Sequence, residues 1–227
     1  MKPVEKFIIY IMGVILVTSV GTAIYYGYTK KDNKPKIINK PTSKEEPSIS
    51  NNELLCPSRD LDCFLNTYLV ELSYNKYEDL INPTDDIINS TLYRYLRDIG
   101  NQKDLFNYKA GEISVTLEVN QELLDTLTYI MFGKEEHSNY EIKFGGADYE
   151  GIFKTDNGYE IRQEPKGGFR YTVEDKNIDK INDNEYNIKL FLKGAAEDGE
   201  EEKAESPTFN LKFNDNKKLF YVNHITK

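Results

Sequence analysis

The first hydrophobic stretch of the chain has no period. From Phe7 to Tyr28 every side chain is uncharged, and most are apolar: Phe7, Ile8, Ile9, Ile11 and Met12, then Val14 to Val17, then Ala23 and Ile24. A helix of that length rises about 30 Å, the thickness of the hydrocarbon core of a bilayer. Tyr10 near one end and Tyr25, Tyr26 and Tyr28 at the other suit the two membrane interfaces. Residues 1–29 are therefore expected to form a transmembrane signal-anchor helix, with residues 7–28 in the membrane. A cleavable signal peptide is the rival, because Lys2 and Lys6 form a basic n-region and Gly21-Thr22-Ala23 offers a cleavage site after Ala23. Residues 30–52 carry no apolar period and are rich in Lys, Asn, Pro, Ser and Glu, so they are expected to be a flexible tether.

Helical periodicity begins after residue 53. Leu61, Phe64, Leu65, Tyr68, Leu69 and Leu72 recur at spacings of three and four, with Asp60 or Asp62 placed to cap the N-terminus. A second helix is expected after Asn82-Pro83-Thr84, with Asp85 and Asp86 in its first turn, running to Gly100. Ile113 to Val119 alternates as a half-buried strand does, and Asn120 then caps a third helix, Gln121 to Phe132, ended by Gly133. From residue 139 the period is two. Strands are expected at 140–144, 149–154, 159–163 and 169–174, with Asn157-Gly158 as a hairpin turn, followed by longer strands at 185–193, 208–213 and 218–226. Helices first and antiparallel strands after give an α+β class, with early amphipathic helices packed on a mostly antiparallel curved sheet. Residues 53–227 are expected to be one domain, with a subdomain break near 110–135 as the alternative.

Charge divides the chain in the same place as hydropathy. The 227 residues carry a formal net charge of −9, but the first forty hold seven Lys against Glu5 and Asp32, which leaves −14 for the rest. An acidic body repels phosphates, so nucleic-acid binding is excluded. The acids of Gly194 to Pro207 (Glu197, Asp198, Glu200, Glu201, Glu202 and Glu205) are expected to form a solvated loop. Lys2 and Lys6 favour an N-terminus inside the cell, whereas Lys30, Lys31, Lys34, Lys36 and Lys40 lie beyond the helix and argue by the same rule for the opposite topology.

The cysteines tip that balance. Cys56 and Cys63 are the only two, close enough in sequence to bridge over the start of the first helix. A disulfide there implies an oxidising compartment, and two reduced buried thiols are the alternative. Zinc lacks the further ligands, since His137 and His224 are remote in sequence. The preferred reading is a single-pass cell-membrane protein with its C-terminal domain outside the cytoplasm.

The early helices and the closing segments Asn187 to Leu192, Phe209 to Phe213 and Leu219 to Asn223 resemble the NTF2-like domains tethered by one helix outside the cytoplasm of Gram-positive bacteria. The resemblance implies a curved meander under helices and no particular chemistry. Catalytic signals are sparse. No Gly-x-Ser-x-Gly or phosphate loop occurs, and the absence of Trp removes the commonest sugar platform. Asp175-x-Asn177-x-Asp179 begins like a calcium loop, but Lys180 and Tyr186 stand where Gly and Glu are needed, so a solvated turn is expected and no metal or cofactor. Tyr is abundant, at 17 residues. Most of it serves packing; part, represented by Tyr186 and Tyr221, is taken as a candidate surface for a protein partner or envelope component. The function expected is non-catalytic binding, with a small envelope hydrolase of unrecognised site as the alternative.

Overall fold

A computed structural model describes residues 51–108, 114–145, 149–164, 171–195 and 201–227. The expected anchor at 7–28 and nearly all of the tether at 30–52 lie outside the described residues. Among the described residues no helix is long and apolar enough to cross a membrane. The described residues form one compact unit.

The helices start and stop where local chemistry says they should. Helix α1 is a continuous run made of Leu61–Phe64, a π-helical stretch Leu65–Leu69 and Val70–Leu72. Asp60 caps it, its carboxylate accepting from the Cys63 N–H at 2.9 Å. The widened stretch coincides with side chains that bond back to the preceding turn, Thr67 Oγ1 to Cys63 O at 2.7 Å and Asn66 Nδ2 to Asp62 O at 2.8 Å. A short helix, α2 (Tyr77–Ile81), precedes α3 (Asp85–Gln102), which Thr84 caps. Helix α4 (Gln121–Phe132) is capped by the Asn120 side chain and ends at Gly133, whose φ of 65° closes a hydrogen bond to Tyr129 O.

The first sheet has the order β1-β2-β5-β4-β3, all antiparallel: β1 (Asn107–Tyr108), β2 (Val115–Val119), β3 (Ile142–Lys143), β4 (Gly151–Thr155) and β5 (Gly158–Gln163). The second runs β10-β9-β7-β6, with β8 also on β7: β6 (Thr172–Asn182), β7 (Glu185–Ala195), β8 (Glu201–Glu205), β9 (Thr208–Asn214) and β10 (Leu219–Thr226). Strand β7 pairs with β9 through Glu185–Ile188 and with β8 through Phe191–Ala195. At the break between β8 and β9, Pro207 has no N–H to give. Ser206 bridges the gap: its N–H donates to Leu190 O at 3.0 Å and its Oγ accepts from Leu190 N at 2.9 Å.

Two expectations are corrected here. Residues 201–205, expected in a solvated acidic loop, form strand β8, and the expected turn at Asp175–Asp179 is the middle of β6. In an extended strand Asp175, Asn177 and Asp179 sit about 6.5 Å apart along one face and cannot converge on an ion.

One contiguous core joins α1, α3, α4 and the inner faces of both sheets, with Leu65, Leu69, Leu92, Leu96, Leu117, Leu124, Ile161, Ile188 and Leu211 fully buried. Tyrosine supplies much of its bulk. Tyr68, Tyr93, Tyr95 and Tyr140 are all at most 3% exposed, and each hydroxyl finds a partner. Tyr95 donates to Leu54 O at 2.5 Å, Tyr140 to Asp125 at 2.6 Å and Tyr93 to Glu150 at 3.2 Å, while Tyr68 Oη accepts from Cys56 N at 3.0 Å. The Tyr richness thus fills the core while pairing with the backbone of Leu54 and Cys56 and with the Asp125 and Glu150 carboxylates.

Candidate functional site

The disulfide organises one end of the molecule. Cys56 and Cys63 are bonded, with Cα atoms 5.7 Å apart, and the loop between them reaches across to the tips of two hairpins. Arg59 stands at a φ of 63°, and its guanidinium lies 3.7 Å from the Phe213 ring centroid. It donates to Asn184 Oδ1 at 3.3 Å and approaches Asp215 at 3.6 Å. Ser58 Oγ donates to Lys218 O at 2.6 Å. The cystine loop therefore bridges the β6–β7 turn and the β9–β10 turn.

Beside it opens a recess of about 300 Å³, lined by Asn182, Asn184, Glu185, Lys212, Asn214 and Tyr221 among others. Strand register makes this row: Glu185 on β7 stands opposite Lys212 on β9, which stands opposite Tyr221 on β10. Side chains paired across an antiparallel sheet share a face. The Glu185 carboxylate is held from behind. Its Oε1 accepts from Asn210 Nδ2 at 3.1 Å and lies 3.7 Å from Lys212 Nζ, and its Oε2 lies 3.4 Å from Asn182 Nδ2. Asn210 is 1% exposed; it also donates to Asn187 at 2.9 Å and accepts from Asn223 at 2.9 Å. On the other side Tyr129 from α4 stacks on Tyr221, centroids 4.9 Å apart, with Lys217 Nζ 4.6 Å over the Tyr129 ring. Asn214 Nδ2 donates to Tyr129 Oη at 2.8 Å. Burial, then the neighbouring Tyr129 and Glu185, push the Tyr221 hydroxyl pKa up.

The two candidate tyrosines part company. Tyr186 stands opposite Leu211, on the face that carries Phe213, Phe220 and Val222, and packs edge-on against Phe220 at 5.9 Å. Tyr221 is on the other face, at the recess. Glu185, Lys212 and Arg59, which shape the recess and its rim, were not singled out from sequence. The alternation of β7 and β9 could have placed Glu185 and Lys212 outward, but only register sets them side by side.

The remaining chemistry is dispersed. His137 is 5% exposed in its side chain, with Nε2 3.0 Å from Asn89 Oδ1, Nδ1 3.7 Å from Asp85, and its ring against Tyr140. It ties the segment after α4 to α3. His224 is exposed on β10, with Nδ1 3.0 Å from Asn223 Nδ2. Arg94 and the buried Glu71 form an ion pair at 3.8 Å between α3 and α1, and burial lowers the Arg94 pKa. Among the described residues no group of three or more His, Cys, Asp or Glu side chains is arranged to hold a metal ion. Comparison of the chain with protein-family models, with curated proteins and with solved structures finds no match.

Proposed function

We propose that the chain is a membrane-tethered protein, anchored through residues 7–28, whose body outside the cytoplasm binds a protein or a cell-envelope component without catalysis. The Cys56–Cys63 bond carries this reading. Disulfides persist in oxidising surroundings and are rare where thiol buffers keep cysteines reduced. The uncharged run Phe7–Tyr28 supplies an anchor of spanning length, and the recess beside the cystine loop supplies a place for a ligand.

Protease shaving of intact cells tests the reading. The body is expected to be digested while cytoplasmic proteins survive, and cross-linking in membranes is expected to join it to one recurrent partner or envelope polymer. Protection until the cells are lysed would overturn it, and would place Lys30 to Lys44 against anionic headgroups on the inner side.

A further inference from the structure

We propose that the recess on the outer face of β7, β9 and β10 is a saccharide-binding site, with Glu185 as the hydrogen-bonding anchor and Tyr221 as the stacking wall. This deepens the preceding reading and rests on it for the choice of an envelope ligand.

The lining offers polar groups of several kinds. Carboxylate and carboxamide groups are planar and present hydrogen-bond sites in fixed directions, and an ammonium adds a donor. A sugar ring offers the complement: vicinal hydroxyls that both donate and accept, and a C–H face that packs on an aromatic ring. Glu185, Lys212 and Asn184 beside Tyr221 put all three kinds of partner around one recess. Signs of charge are mixed at its rim, with Lys212 and Lys217 against Glu185 and Asp215, so the site does not select a strongly ionic ligand. It is not an apolar slot of the kind that anchors a hydrophobic peptide side chain, because five of its seven lining residues are polar or charged, Phe213 and Tyr221 being the other two.

The site is also held in shape before any ligand arrives. Glu185 is fixed by the buried Asn210, which is itself tied to Asn187 and Asn223. Tyr221 is fixed by its stack on Tyr129, and Asn214 by its bonds to Tyr129 Oη and to the N–H groups of Asn216 and Lys217. Asn184 is held by the cystine loop through Arg59. Side chains already ordered lose little entropy on binding, which lets a shallow polar site hold a small ligand.

Saturation-transfer NMR and calorimetry on the full-length protein, with triacetylchitotriose and cellotriose as probes, test this. At least one probe is expected to bind with a Kd of about 1 mM or tighter, and E185Q and Y221L are each expected to weaken it about tenfold. Because Y221L also removes the stack on Tyr129, K212M, on the same half-buried row but outside the core, serves as a second variant and is expected to weaken binding as well. Absence of binding up to about 10 mM would overturn the proposal. So would sugar binding indifferent to all three substitutions, or a polar peptide competing at the same residues with higher affinity. Digestion of the body in intact cells together with no sugar binding would remove this site assignment and leave the extracytoplasmic reading standing.

Discussion

Removing the Cys56–Cys63 bond should destabilise the body by about 2.5 kcal/mol. The two cysteines are seven residues apart, so the closed loop holds eight. In the chain-entropy treatment such a loop withdraws about 8 cal/mol/K from the unfolded chain, hence about 2.5 kcal/mol at 25 °C. For a domain of this size that lowers Tm by roughly 5–10 °C. The perturbation is C56A/C63A, with the reduced wild-type protein as a second route to the same open loop. Circular dichroism melts give the Tm, and limited trypsin digestion reports the loop directly. Arg59 is the only Lys or Arg between the two cysteines, and in the folded protein its guanidinium is held between Phe213, Asn184 and Asp215. Opening the loop should release Arg59 from its left-handed backbone conformation and speed cleavage after it. A Tm lowered by less than about 2 °C, with unchanged cleavage at Arg59, would refute the reasoning. It would show that the Asp60 cap, the bond from Cys56 N to Tyr68 Oη and the Arg59 contacts fix the loop without the covalent link.

Two further outcomes follow from the core. The hydroxyls of Tyr68, Tyr93, Tyr95 and Tyr140 have pKa values raised above 10.0, in each case first by burial. The fold therefore favours their neutral forms: the stability is fully present below pH 10 and is lost as pH rises toward the folded pKa values. Denaturant midpoints measured from pH 8 to pH 12 should fall above about pH 10, in step with tyrosinate absorbance; a flat profile would contradict this. Gly151 has a φ of 142°, and a Cβ there would lie 2.0 Å from Ile142 O, at the β3–β4 pairing. G151A should cost about 3 kcal/mol or more, whereas a loss under about 1 kcal/mol by urea titration would show that the β3 edge yields freely.

Much of the first half was legible because its signals are local. Asp60 and Asn120 act as helix caps within three residues of their partners, and Gly133 ends α4 through its own φ. None of these depends on the rest of the molecule. The strands were harder where charge and exposure masked them. Every residue of β6 except Val173 is exposed, so it shows no buried alternation, and it is a strand because β7 pairs with it. Strand β8 reads as a like-charge run, yet Lys193 lies 2.6 Å from Glu201, Lys189 2.7 Å from Glu205, and Lys203 3.2 Å from Glu174. Such exposed pairs contribute little each, at most about 1 kcal/mol, but they remove the repulsion that the run implies when read alone.

By itself the sequence determined the α+β class and the helix starts after Asp60, Thr84 and Asn120, because caps and periodicity act over a few residues. It left Cys56 and Cys63 as a bridge or two thiols, missed α2, and stopped α3 at Gly100 where it runs to Gln102. Only the tertiary structure decided what Tyr186 and Tyr221 do. Their strands are far apart in the chain, and a shift of one residue in register turns a side chain to the other face. The observed register sends Tyr186 to Phe220 in the core and sets Tyr221 beside Lys212 and Glu185 at the recess.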